Sequence, residues 1–431
     1  MMLRSTLSPS LTASWRDGVL AGLAPDGGLF VPTTLPHLNP EELAAYARLP
    51  FPDLARELAC KFLVPDVSRE VVDRICRESF TFDVPLQPIT QSLSVLELFH
   101  GPTCAFKDFG ARFMSRLFRY FLGESDRRLT VLVATSGDTG SAVANAFHDT
   151  SPQAPIRVVV LFPKGKVSLV QEKQMTTLGG NVTALEVEGS FDDCQRLVKQ
   201  ALGDSSLAER TTLTSANSIN IARLLPQMFY YAYAALISQS PPTFSVPSGN
   251  LGNLTGGLLA ALIGVPIEHF IAATNANSVF PDYLRSGVYH PHSSRETISN
   301  AMDVGDPSNF ARIVSLYDGD LVRMRDAISG FSISESETVA TIRRVYDTTG
   351  YILDPHTAVG VAALDSFSER LKGSAVVLAT AHPAKFSSVV AHAIGHAPMI
   401  PPQLCSALDA HGEKTPLPLS YDRLKEVLLS Q

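Results

Sequence analysis

From residue 129 onward, short apolar and β-branched runs alternate with longer helix-forming stretches, and this alternation constrains the fold more than any other property of the chain. The runs at 129–134, 158–161, 182–185, 244–246, 267–271 and 375–379 are strand-length and mostly apolar. Strands of this kind need cover on both faces, which a parallel sheet flanked by crossover helices provides. The expected fold is therefore α/β, with mainly parallel sheets and helices on both faces. Residues before about 95 read differently: one helix starts at 40–47 and another covers 67–75, with prolines between them, which predicts a mostly helical N-terminal extension. An amphipathic helix is expected over 335–345. The tail from Pro401, rich in proline and polar residues, has no period that assigns it.

A chain of 431 residues with 45% hydrophobic content can build more than one core. Two α/β domains are expected behind the extension: residues 1–95 as the extension, 96–215 as a smaller domain and 216–431 as a larger one. Lys and Arg number 35 against 42 acids, a net charge of -7, so no basic field invites nucleic acid or an anionic membrane. Any phosphate binding must be local. The 5 cysteines are odd in number and lack metal-type pairing, which argues for a reducing compartment and against a disulfide framework or a metal site. No apolar run approaches about 20 residues and no charged start precedes an apolar core, so a cytoplasmic protein is expected, with neither a span nor a secretion signal. Monomer and homodimer are both compatible with these properties.

Four constellations carry chemistry. Lys107 lies between Phe106 and Phe109, after the Gly101-Pro102 turn and at a helix start. Burial there would favour a neutral amine, which is what a carbonyl cofactor needs to form a Schiff base; taken alone, a surface lysine after a turn is the plainer alternative. The second is the 248–253 stretch Ser-Gly-Asn-Leu-Gly-Asn, between an apolar run and a helix-forming one. Strand, glycine loop and helix start together aim backbone N–H groups at an anion, and the spacing matches neither a dinucleotide fingerprint nor a P-loop. Together, the lysine and the loop point to pyridoxal phosphate.

The third constellation is 135–141, Thr-Ser-Gly-Asp-Thr-Gly-Ser, which gathers hydroxyls and amides at a helix start as a carboxylate cradle would. Ordinary capping by Ser136, Asp138 or Thr139 accounts for one of those hydroxyls. The fourth is Thr380, at the carboxyl end of an apolar strand, where ligands sit in open α/β sheets. His382 and Lys385 follow it, and the histidine reads first as a structural hydrogen-bonding group.

These four blocks together resemble the threonine synthase family of fold-type II pyridoxal-phosphate enzymes. The resemblance extends to 20–32, 270–277, 298–304 and 350–356, in one order from about Asp17 to about Val390. It implies that Lys107 carries the cofactor as a Schiff base and shuttles protons, on the smaller domain, and that Gly249, Asn250, Leu251, Gly252 and Asn253 hold the cofactor phosphate, on the larger. It places Thr380 near the ring nitrogen and Ser136, Asp138 and Thr139 on the substrate side. Lys166, Ser168, Asn220 and Arg223 are the candidates for the substrate's own phosphate, with surface solvation or an interdomain ion pair as their other reading. Cys104 and Ala111 replace an aliphatic residue and a glycine of the family pattern, and Ser278 and Asp282 replace an acid and a base, so no role is assigned in that loop.

The implied reaction converts O-phospho-L-homoserine and water to L-threonine and phosphate, as the last step of threonine biosynthesis, with pyridoxal 5′-phosphate as cofactor. Two other readings share these residues: a phospholyase acting on a related amino-alcohol phosphate without adding water, and a non-catalytic protein binding a phosphometabolite on the same fold.

Overall fold

The computed structural model describes residues 1–123, 129–151 and 155–430. In chain order its strands are β1 (Leu3–Ser5), β2 (Thr12–Ala13), β3 (Phe30–Pro32), β4 (Leu86–Pro88), β5 (Leu93–Glu97), β6 (Leu129–Ala134), β7 (Ile156–Pro163), β8 (Val182–Val187), β9 (Thr212–Ser215), β10 (Thr243–Pro247), β11 (His269–Thr274), β12 (Ile328–Ser332), β13 (Ala375–Ala379) and β14 (Thr415–Leu417). They form a six-stranded sheet of order β12-β11-β10-β13-β5-β4, a five-stranded sheet of order β14-β8-β7-β6-β9 and a small antiparallel sheet of order β2-β1-β3. Within the two larger sheets only the β4–β5 pair is antiparallel.

The strands divide their side chains between faces with period two, as a sheet covered on both sides requires. Val131 and Val133 of β6 and Val158 and Val160 of β7 join the large central core, whereas Leu132, Ala134, Val159 and Leu161 turn to a second core on the far side of the five-stranded sheet. The six-stranded sheet behaves alike: Val376 and Leu378 enter the central core, and Ala375 and Val377 the outer one. Helices Lys107–Leu122, Asp138–Phe147, Gln227–Ile237 and Gly252–Leu262 contribute to that central layer between the sheets.

The N-terminal region holds helices Trp15–Ala21, Pro40–Tyr46, Phe51–Leu63 and Arg69–Ser79, so the expected helical extension is present, with β1 to β3 added to it. The helix expected over 335–345 runs from Glu335 to Thr349 behind a Ser334–Glu337 capping box. The unassigned tail proves ordered: helix Pro402–Asp409, then β14, whose residues pair with β8, then helix Tyr421–Leu429, whose Leu424 and Leu428 close the outer core of the five-stranded sheet. Residue 95 lies inside β5, which pairs with β13, and residue 215 ends β9. The chain thus moves from the six-stranded sheet to the five-stranded one through the helix that begins with Lys107, and returns to the five-stranded sheet at β14.

Candidate active site

The carboxyl ends of strands from both sheets open onto one cavity, the position where parallel sheets bind ligands. Ala134 and Ser215 line it from the five-stranded sheet, Pro247 and Thr380 from the six-stranded one, and it holds about 1140 Å³ of empty space including its mouth. Lys107, Ser136, Thr139, Arg223 and residues 248–253 all line it, so two segments more than 100 residues apart meet there.

Lys107 is delivered by a short stitched loop. Phe106 N–H donates to the Thr380 carbonyl (2.9 Å) and His382 N–H to the Cys104 carbonyl (3.0 Å), which lays residues 104–106 along the end of β13. Asp108, wholly buried, folds the preceding turn back by accepting from Thr103 N–H (2.9 Å) and Thr103 Oγ1 (2.7 Å). Lys107 then opens the helix with Nζ 5.0 Å from the Phe106 ring centroid, and Nζ makes no hydrogen bond or ion pair among the described residues. Burial pulls its ammonium down to about 8; Asp138 opposes the shift, and Arg223 and Lys385 reinforce it. That leaves roughly a tenth of the amine neutral at pH 7, against well under a thousandth for an ordinary lysine, and the neutral amine is what Schiff-base chemistry needs.

The 248–253 loop has the geometry of an anion cradle. Leu251 takes a left-handed φ of 59° as the residue before helix Gly252–Leu262, and the amides of residues 249–253 donate to no atom among the described residues. A helix start with free amides binds phosphate. Gly249 cannot carry a side chain: a Cβ there would stand 2.8 Å from Met302 Cα and 2.9 Å from the Ala301 carbonyl. Asn250 is spent on structure, donating to Ser218 Oγ (2.7 Å) and accepting from Ser308 N–H (2.6 Å). Asn253 Oδ1 accepts from Tyr230 and Tyr231, while its Nδ2 is buried without a partner among the described residues. An orphan donor, a row of free amides and an unpaired amine on one cavity fit pyridoxal phosphate. Thr380, whose hydroxyl makes no hydrogen bond among the described residues, lines the same cavity.

At the 135–141 turn the capping hydroxyl is Thr135, which accepts from Gly137 N–H (2.9 Å) and Gly140 N–H (2.8 Å). That leaves Ser136 and Thr139 to face the cavity. Asp138 is turned away from it, 2.7 Å from Lys385 Nζ and accepting from Gln171 Nε2 at 2.9 Å. Burial pushes its carboxyl up, but Lys385, with help from Lys107 and Gln171, carries it below the usual carboxylate range.

The four residues expected at the substrate's phosphate separate. Arg223 lines the cavity, 2% exposed, with Nη1 on the Ala216 carbonyl (2.6 Å) and, among the described residues, with Nε unpartnered and no carboxylate within ion-pair distance. Burial lowers its guanidinium to about 10. Lys166 is exposed and paired with Glu296 instead, because the 163–168 turn faces the loop that carries that acid. Ser168 caps helix Leu169–Thr176 in a box with Gln171, and Asn220 caps Ile221–Leu224 while donating to the Val19 carbonyl. None of these three lines the cavity. His382 caps the 383–386 turn through Nδ1, and burial takes its imidazole down to about 4. Ser278 and Asp282 hydrogen-bond to each other (2.6 Å) at a helix start, also away from the cavity.

Several lining residues have no role assigned from the sequence. Gln195, Val198, Lys199 and Leu202 follow helical spacing on Phe191–Leu202 and present one face to the cavity. His356, fixed by Asp354 at Nδ1 (2.8 Å), accepts from Ala301 N–H (3.2 Å) and so braces the segment under Gly249. Asn217 exchanges hydrogen bonds with both backbone groups of Ala134, holding the end of β6.

The family described as pyridoxal-phosphate dependent enzyme matches residues 87–381, threonine synthase N terminus matches 3–80, and threonine synthase, C-terminal matches 357–428. A threonine synthase of Buchnera aphidicola subsp. Acyrthosiphon pisum is 41% identical over 422 residues, covering 96% of each chain. The crystal structure of threonine synthase from Escherichia coli superposes with a TM-score of 0.93 at 37% identity, covering 100% of both chains. The PLP-bound threonine synthase from Brucella melitensis superposes at 0.92 with 36% identity, covering 100% of this chain and 99% of its own.

Proposed function

This chain belongs to the threonine synthase family of pyridoxal-phosphate enzymes, and from that premise we propose that it converts O-phospho-L-homoserine and water to L-threonine and inorganic phosphate. It is a lyase with pyridoxal 5′-phosphate as cofactor, and its pathway is threonine biosynthesis. The observation that carries the site assignment is the shared cavity of Lys107 and the 248–253 loop.

In this reading Gly249, Asn250, Leu251, Gly252 and Asn253 would hold the cofactor phosphate through backbone amides and Asn253 Nδ2, and the Thr380 hydroxyl would serve the ring nitrogen. Bound pyridoxal phosphate supplies an electron sink for charge that develops at the substrate's α- and β-carbons. Lys107 would take the α-proton and then a β-proton, which lets the phosphate leave from the γ-carbon, and would return one proton to the γ-carbon and, as water adds at the β-carbon, one to the α-carbon. Its lowered pKa suits both directions of transfer near neutral pH. Ser136 and Thr139 bind the substrate carboxylate, and Arg223, buried without an acid partner, receives the substrate's phosphate. Asp138 acts through Lys385 rather than on substrate. Division at 95 and 215 into an extension, a Lys107-bearing unit and a phosphate-loop unit belongs to the same reading, as does a cytoplasmic address; no helix among the described residues is long and apolar enough to cross a membrane.

The deciding experiment is product analysis. Incubation with O-phospho-L-homoserine should release threonine and phosphate in equal amounts; phosphate with a keto acid and ammonia would favour the phospholyase instead. No absorbance shift on adding cofactor, and no borohydride fixation at Lys107, would leave only the binding-protein reading.

A further inference from the structure

The 248–253 loop contains no lysine or arginine, yet a cofactor phosphate near neutral pH carries close to two negative charges. A guanidinium stands one residue removed from the loop. Arg312 is 0% exposed and has no carboxylate within ion-pair distance among the described residues; the four hydrogen bonds it makes all go to neutral oxygens. Nε donates to the Phe30 carbonyl (3.0 Å), Nη1 to the Ser218 carbonyl (2.8 Å) and Asn309 Oδ1 (2.7 Å), and Nη2 to the Ile219 carbonyl (2.5 Å). The groups it holds are those that hold the loop: Asn309 Nδ2 donates to the Asn250 carbonyl (2.9 Å), and Ser218 Oγ accepts from Asn250 Nδ2 (2.7 Å).

A buried cation with no counter-ion is expensive, and the expense is relieved when an anion binds close by. Burial lowers the Arg312 guanidinium to about 9, in keeping with a positive charge that lacks a partner in the protein itself. Arg312 also sets the direction of the Asn309 amide. With Oδ1 taken by Nη1, the Nδ2 group is turned to the Asn250 carbonyl and anchors the loop there, and the Asn250 N–H has no acceptor among the described residues.

From these bonds we infer that Arg312 is a positioning residue for the cofactor phosphate: it supplies from behind the positive charge that the loop lacks and, through Asn309 and Ser218, holds the loop with its amides free. The inference rests on the assignment of the 248–253 loop to that phosphate.

The test compares pyridoxal phosphate with pyridoxal, which lacks the phosphate, by titrating the full-length apoprotein of the wild type, R312K and R312Q. The wild type should prefer pyridoxal phosphate strongly. R312Q, which can still donate to carbonyls but carries no charge, should lose roughly tenfold or more of that preference while its affinity for pyridoxal is unchanged. R312K should keep most of the preference. Equal weakening toward both ligands in R312Q would make Arg312 a structural staple only and overturn the inference, as would an unchanged preference. A wild type that binds both ligands equally would instead overturn the loop assignment. Should R312Q fail to fold, phosphorus NMR of the wild-type holoenzyme decides: the bound phosphate should remain dianionic well below the free ester's pKa of about 6, and titration at or above that value refutes the charge contribution.

Discussion

Lys385 Nζ and Asp138 Oδ1 stand 2.7 Å apart with both side chains sealed from solvent, and their pair couples the turn before the Asp138–Phe147 helix to the loop that delivers Lys107. Lys385 also donates to the Thr103 carbonyl at 2.8 Å. Removing one member of a buried pair leaves the other uncompensated, so K385M should cost about 3–5 kcal/mol in urea denaturation. The two members act on Lys107 in opposite directions. K385M should therefore move the pH at which apoprotein captures the cofactor upward, and D138N should move it downward. The sign for acid stability follows from Asp138 being held below its ordinary 3.8. Its contribution is present above that value and is lost as pH falls through the lower folded value, so the stability of D138N should vary less with pH below about 4 than that of the wild type.

Lys107 presents the complementary case of a base whose pKa falls on folding, from 10.5 to about 8. In the apoprotein the rate of cofactor capture should rise about tenfold per pH unit below 8 and level off above it, because only the neutral amine attacks. Between pH 8 and 10.5 the unfolded chain holds more protons at this site than the folded one, so the lysine's contribution makes stability rise with pH across that window. K107A should abolish threonine formation and borohydride fixation while keeping the circular dichroism of the wild type; retained threonine formation would refute the assignment.

Much of this arrangement was legible in the chain because strands buried on both faces must be apolar throughout, and 129–134 and 375–379 leave little else to be. The glycine loop was legible for a similar reason, since a phosphate cradle requires bare backbone. Most of what escaped lacks a local pattern. β14 is three residues containing a proline, and it becomes a strand only because β8 offers it an edge. Lys166 and Ser168 are residue types that bind phosphate, but an acid 130 positions away claims the lysine, and the Ser168-to-Gln171 spacing is itself a capping box. Arg312 and Asn309 act through carbonyls of segments that only the fold brings together, so no spacing announces them.

Gly249 carries a steric prediction. G249A would place a methyl 2.8 Å from Met302 Cα and 2.9 Å from the Ala301 carbonyl, backbone atoms that cannot swing aside. The loop must then lift from the segment that His356 braces, and its amides lose their aim. Equilibrium dialysis should show pyridoxal phosphate affinity reduced by roughly tenfold or more. Thermal stability of the apoprotein should fall far less, because the loop lies at the cavity rather than in the core. Unchanged affinity would mean that the phosphate is held elsewhere.

Arg223 separates substrate binding from cofactor binding. Its Nη1 is committed to the Ala216 carbonyl, while among the described residues its Nε has no partner and no carboxylate lies within ion-pair distance, and the side chain lines the cavity. If the substrate's phosphate completes that guanidinium, R223M should raise KM for O-phospho-L-homoserine by about 30-fold or more, the scale of a lost buried charge pair. Cofactor absorbance and cofactor affinity should stay near wild-type values. R223K should recover little, since an ammonium cannot reach the Ala216 carbonyl and the ligand in the same fork geometry. A loss of cofactor binding in R223M with no change in KM would move Arg223 from the substrate side of the cavity to the cofactor side.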